Sequence, residues 1–177
     1  MERNVDMTEI SDGKRYTSND LAKLGCGDCA GCSKCCHGMG ESITLDPYDI
    51  YNLTINLKMT FNELLAESLG LSVKDMIILP HLNLKAEGEG CLFLDENGRC
   101  SIHSFRPGIC RLFPLGRIYE NESFSYFLQI NECVKQNRTK VKIKKWLGIP
   151  NLAAYENYIN TWHYFLKNMK AFLEEQD

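Results

Sequence analysis

Five cysteines fall within eleven residues, Cys26-x2-Cys29-x2-Cys32-x2-Cys35-Cys36. The stretch that holds them, Cys26 to Gly40, is rich in glycine and shows no apolar periodicity. Such a segment cannot pack a core by itself, so something besides side-chain burial must order it. A two-residue gap lets a turn aim successive thiolates at one centre, as metal sites require. Three such gaps in register go beyond a single zinc knuckle. Cys-x2-Cys-x2-Cys is also the spacing that puts three thiolates on three corners of a 4Fe–4S cube, with the fourth ligand supplied from elsewhere. A ferredoxin run would continue with x3-Cys-Pro. Here Cys36 and His37 follow, so the fourth ligand must be remote. Cys35 and Cys36 are adjacent and their side chains tend to diverge, which makes it awkward for both to bind one mononuclear ion. One cluster plus one zinc, two metal sites, or one site with spare thiols all remain open.

The other four cysteines, Cys91, Cys100, Cys110 and Cys133, are spread out. Nine cysteines make an odd count, and residues 1–25 are polar with no apolar segment of the kind an export signal needs. The expectation is a cytoplasmic protein with reduced thiols rather than a disulfide framework. Soft thiolates at close spacing select zinc, copper(I) or iron–sulfur. The longest apolar run, Met76 to Leu79, is too short to span a membrane. A net charge of −3 gives no global basic field, so no nucleic-acid partner is expected. Lys140, Lys142, Lys144 and Lys145 read as a solvated face. A protein partner is left open.

Hydrophobic residues make up 44% and charged residues 24%, so an ordinary core is expected. Residues 1–25 read as a polar arm, with a short helical turn at Asp20 to Leu24. Residues 26–148 read as the cysteine-cluster domain, and 149–177 as an amphipathic helix packed on it. Asp46-Pro47 starts a helix that runs to about Lys58. Thr60, with Glu63 completing a capping box, starts another that stops by Gly70. Met76 to Leu79 reads as a short strand or turn cut by Pro80. Cys91 to Ile102 reads as a β-hairpin around Asn97-Gly98, and Pro107 to Leu112 as one helical turn. Residues 115–119 and 123–130 suggest a second hairpin. The basic stretch after Cys133 is helix-compatible. From Asn151, Leu152, Tyr155, Ile159, Trp162, Leu166, Met169 and Leu173 recur at helical steps. The predicted fold is α+β: a small metal-stapled domain with few short strands, covering helices and a long C-terminal helix.

The run Cys29-Ala-Gly-Cys32-Ser-Lys-Cys35-Cys36 resembles the signature of the CxxCxxCC family, the YkgJ-like cysteine cluster proteins, known as zinc- or iron-chelating domains. Two further blocks agree. They are Cys91 through Asn97-Gly98 to Cys100-Ser-Ile-His103, and Arg106-Pro107-Gly-Ile-Cys110-Arg111-Leu-Phe-Pro114. The resemblance covers roughly residues 26 to 135. It implies metal chelation by Cys29, Cys32, Cys35, Cys36, Cys91, Cys100, Cys110 and Cys133, with Cys26 outside the motif. Flagellin lysine N-methylase contains a similar cysteine domain, which suggests a link to protein methylation. This chain is shorter than that enzyme and has no Gly-rich strand–turn–helix fingerprint for a nucleotide-like cofactor.

Arg106 and Arg111 flank Cys110 and are candidates to offset a thiolate-rich cluster and tune its potential. His37 and His103 sit beside cysteines as alternative ligands, whereas His81 and His163 read as ordinary surface or helix residues. A Cys110–His103 nucleophile and base is outweighed by the ligand reading, because a bound thiolate is not free to attack. Asp46 and Asp49 are explained as N-cap and first-turn residues, so catalysis is not assigned to them. The leading expectation is a 4Fe–4S or iron-binding protein with a redox, sensing or cofactor-handling role. The alternatives are a structural zinc-binding interaction module and a methylase-related enzyme.

Overall fold

The computed structural model describes residues 6–27, 32–85 and 90–176. In chain order the elements are α1 (Met7–Ile10), β1 (Leu21–Gly25), α2 (Pro47–Leu57), α3 (Phe61–Glu67), β2 (Leu69–Lys74), β3 (Ile77–Leu82), α4 (Gly108–Leu112), β4 (Leu115–Glu120), β5 (Ser123–Leu128), β6 (Thr139–Lys142), α5 (Ile143–Leu147) and α6 (Leu152–Glu174). The strands pair two by two, β1 with β6, β2 with β3 and β4 with β5. This is the α+β class the sequence predicts, with short strands and a long C-terminal helix. The chain divides into two compact units. The first comprises Met1–Cys26, Asp75–Ile77 and Leu112–Asp177, the second Gly27–Lys74 and Ile78–Arg111.

In the first unit β1 runs antiparallel to β6, with Leu21 opposite Lys142 and Lys23 opposite Lys140. Ala22 and Leu24 point inward and are buried, while Leu21 and Lys23 point out. That period of two overrides the expected helical turn at Asp20 to Leu24, because pairing with a distant strand satisfies the backbone that a turn would have satisfied locally. Gly25 stands at a break in register, and a Cβ there would lie 2.2 Å from Thr139 Oγ1 and 2.9 Å from Val141 Cγ2. The basic stretch after Cys133 likewise begins with a strand, β6, before the one helical turn of α5. The β4–β5 hairpin is as predicted. Asn121 and Glu122 both take positive φ at its two-residue turn, which suits the right-handed twist of the strands. Tyr16 and Tyr126 exchange backbone hydrogen bonds of 2.9 Å in both directions, which fastens residues before β1 to β5. Leu24, Ile143 and Leu147 are fully buried and form this unit's core with Leu115, Tyr126 and Leu128.

The second unit is built from strong local signals. Asp46 and Asp49 form a reciprocal capping box at α2 with Pro47 in the first turn, and Thr60 and Glu63 form another at α3. α2 ends at Lys58, whose left-handed backbone (φ 58°) closes the last turn. β3 passes through Pro80 instead of stopping at it. Proline lacks only the donor, and its carbonyl still accepts from Leu45 N at 2.9 Å, while Leu82 N donates to Ile43 O at 3.1 Å. Leu45, Leu53, Leu64, Leu69, Leu82 and Ile102 make an apolar core. Cys91, Cys100 and Cys110 pack against it.

Candidate metal centre

Three separate segments bring thiols into the second unit. The first is the loop around Cys32, Cys35 and Cys36, which closes a 3-10 turn over Lys34–Cys36 with Cys36 N donating to Ser33 O at 2.8 Å. The second is Cys91 to Cys100. Asp95 organises it, its carboxylate accepting from Asn97 N at 2.9 Å and Arg99 N at 2.7 Å, and Gly98 (φ 67°) completes the turn. The predicted Asn97-Gly98 turn is therefore present. The flanking residues, however, form only an isolated bridge, Leu94 to Cys100, and not a hairpin ladder. The third segment is α4, which carries Cys110.

Two hydrogen bonds hold these segments in place. Cys91 N donates to Cys36 O at 2.8 Å, joining the first two segments through main chain alone. Gly108 N donates to Asp49 Oδ1 at 2.8 Å, fixing the start of α4 against the start of α2. Asp49 is buried, and its role beyond the capping box has no local signal, since its partner lies 59 residues away. Sequence reasoning missed it for that reason.

The thiols influence one another. Hydrogen bonding by the Cys36 S–H holds the Cys35 thiol below its ordinary range, and Arg106 and His37 reinforce the shift. The same bond pushes Cys36 up, with burial and the neighbouring Cys35, Cys91 and Cys100 adding to it. Burial raises Cys91 and Cys100. Burial also raises Cys110, followed by the charges of Asp49, Cys91, Cys100 and Cys35. Cys35, Cys36, Cys91, Cys100 and Cys110 therefore lie within one electrostatic neighbourhood. Among the described residues, no group of three His, Cys, Asp or Glu side chains is arranged to hold a metal ion. Cys29 lies outside the described residues. Cys133 and Cys26 belong to the first unit. None of the described cysteines is in a disulfide.

Arg106 Nη1 pairs with His103 Nε2 and donates to His103 O at 3.2 Å, so His103 faces the guanidinium. Arg106 also favours the thiolate forms of Cys35 and Cys100. Arg111 reaches back to the carbonyls of Arg106, at 3.1 Å, and Ser104, bracing the turn before Cys110. His37 Nε2 lies 3.3 Å from Ser33 Oγ. His81 is buried on β3, contrary to the surface reading, and Gly70 leaves the room its ring occupies. His163 stacks on Tyr119 at 3.6 Å.

A family model described as "Putative zinc- or iron-chelating domain" matches residues 28–145 of the 177, well over half of the chain. The chain belongs to the CxxCxxCC family. The match covers all three thiol-bearing segments and extends past Cys133. As a CxxCxxCC protein it carries a metal-chelating domain, and zinc and iron both fall within the family's description. No solved structure matches the chain. The donor set suits such a metal: soft thiols, half-buried, with a fixed cation beside them. Among the described helices, none is long and apolar enough to cross a membrane.

Proposed function

We propose that this CxxCxxCC protein binds a 4Fe–4S cluster through its cysteines, and that it serves a redox, sensing or cofactor-handling role. The ligands are drawn from Cys29, Cys32, Cys35, Cys36, Cys91, Cys100, Cys110 and Cys133. The observation that carries the reading is the convergence of three cysteine-bearing segments, with Cys91 N bonded to Cys36 O at 2.8 Å and Cys91, Cys100 and Cys110 packed on one apolar core. A bound cluster supplies one-electron chemistry. The protein's part is to hold the thiols near each other, keep them half-buried, and offset their charge. Arg106 offsets charge at Cys35 and Cys100, which tunes the potential of whatever the thiolates hold. Arg111 acts through the turn it braces. A metal held by Cys91, Cys100 and Cys110 would take the place of their thiol protons.

Zinc is the second reading, favoured by one observation. Cys91, Cys100 and Cys110 pack on the apolar core, where a closed four-coordinate ion would serve cohesion and not chemistry.

The test is iron, zinc and acid-labile sulfide analysis, with an absorption spectrum, on the full chain purified without oxygen. Iron and sulfide at about four each per chain are expected. Zinc without sulfide rejects the cluster in favour of the structural site, and absence of both metals rejects both readings.

A further inference from the structure

A second site lies in the first unit. The segment between β5 and β6 folds beside Lys23 of β1 and encloses a cleft of about 470 Å³. Lys23, Lys135 and Arg138 line it, together with the side-chain amides of Asn131, Gln136 and Asn137. No carboxylate is among the described lining residues. Arg138 Nη1 is buried and has no hydrogen-bond partner among the described residues. A guanidinium N–H taken out of water without an acceptor carries a free-energy cost that a ligand oxygen relieves. The guanidinium cannot neutralise itself by losing a proton, and its planar fork matches an oxyanion. Lys23 and Lys135 enter no ion pair among the described residues. Three cations gathered without an acid in a chain of net charge −3 run against the overall balance. The volume suits a small molecule.

We propose that this cleft binds a small phosphate-bearing molecule, with its oxyanion held by Arg138, Lys23 and Lys135. The amides of Asn131, Gln136 and Asn137 supply donors and acceptors for the rest of the ligand. The site extends the protein beyond metal chelation, and Cys133 is also among its lining residues.

Calorimetric titration of the full, metal-loaded chain with pyrophosphate, and separately with inorganic phosphate, tests this. Saturable one-to-one binding is expected, tighter for pyrophosphate and weakened by added salt. Arg138→Gln should weaken it by about tenfold or more. Lys144→Gln, which removes an exposed cation outside the cleft, should change it by less than about twofold. If Arg138→Gln fails to fold, Lys23→Gln on the exposed side of β1 takes its place, with a loss of at least about threefold. Absence of saturable binding overturns the proposal. Equal losses in Arg138→Gln and Lys144→Gln also overturn it, since diffuse surface charge would then explain the affinity. Binding of single-stranded oligonucleotides that strengthens with length and displaces pyrophosphate reassigns the cleft to a polyanion and overturns it as well. Metal content is measured on the same samples, so failure here is separable from failure of the metal reading.

Discussion

Asp49 carries two duties on one carboxylate. Oδ2 accepts from Asp46 N at 3.3 Å to complete the α2 capping box, and Oδ1 accepts from Gly108 N at 2.8 Å. Asp46 caps the helix through Asp49 N at 2.9 Å. Losing either side chain of a capping box costs about 1 kcal/mol, and orphaning a buried donor such as Gly108 N adds about 1–3 kcal/mol. Asp49→Ala should therefore destabilise the chain by about 2–4 kcal/mol, and Asp46→Ala by about 1 kcal/mol. Denaturant unfolding of the two variants checks this, and equal losses would remove the clamp at Gly108 from the account. Tyr16 makes a pH prediction. Burial first, and then its 2.5 Å bond to the Asp12 carboxylate, push its phenol above the ordinary value. A group whose pKa is raised by folding contributes stability that is complete below its unfolded value and is lost as pH rises. Stability should fall as pH passes about 10, and Tyr16→Phe should make that fall shallower. An unchanged slope in alkaline urea titrations would show that Tyr16 does not titrate this way.

Elements whose signals lie within one or two turns were legible. The Asp46 cap of α2, the Thr60–Glu63 capping box of α3, the β4–β5 turn and α6 stand where sequence puts them, because cap, turn and helical periodicity are short-range causes. β1 and β6 were not legible. Each is short, and its strand identity comes from the other, far along the chain. Pro80 misled for a different reason, since it breaks a strand only where its missing donor is needed. Gly25 tests the β1–β6 pair. Its absent side chain admits Thr139 and Val141, so Gly25→Ala should overpack the joint and cost about 1–3 kcal/mol. Hydrogen exchange should quicken at Leu21–Leu24 before it does at β4 and β5. Uniform quickening would mean that the pair is not the weak point.

At the scale of the whole molecule, the cysteine spacing announced a thiol-based site, and the family match agrees. What spacing does not encode is the division of thiols between two units, with Cys26 and Cys133 in the first. The second unit also has an apolar core of its own, with Leu53 and Leu64 fully buried. Stripping the metal with a chelator should therefore loosen the unit locally and not dissolve it. Hydrogen exchange should rise over 32–36 and 91–111 while α2 and α3 keep their protection. Loss of protection across α2 and α3 as well would make the metal the organiser of the whole unit, as in a zinc finger.

The bond from Cys91 N to Cys36 O is made by the main chain alone. Its strength is indifferent to whether either sulfur is protonated, oxidised or ligated, so the two loops remain neighbours through a cycle of loading and release. Much of the chelate effect is then settled when the chain folds. What the main chain has already joined, a bound ion does not have to join again.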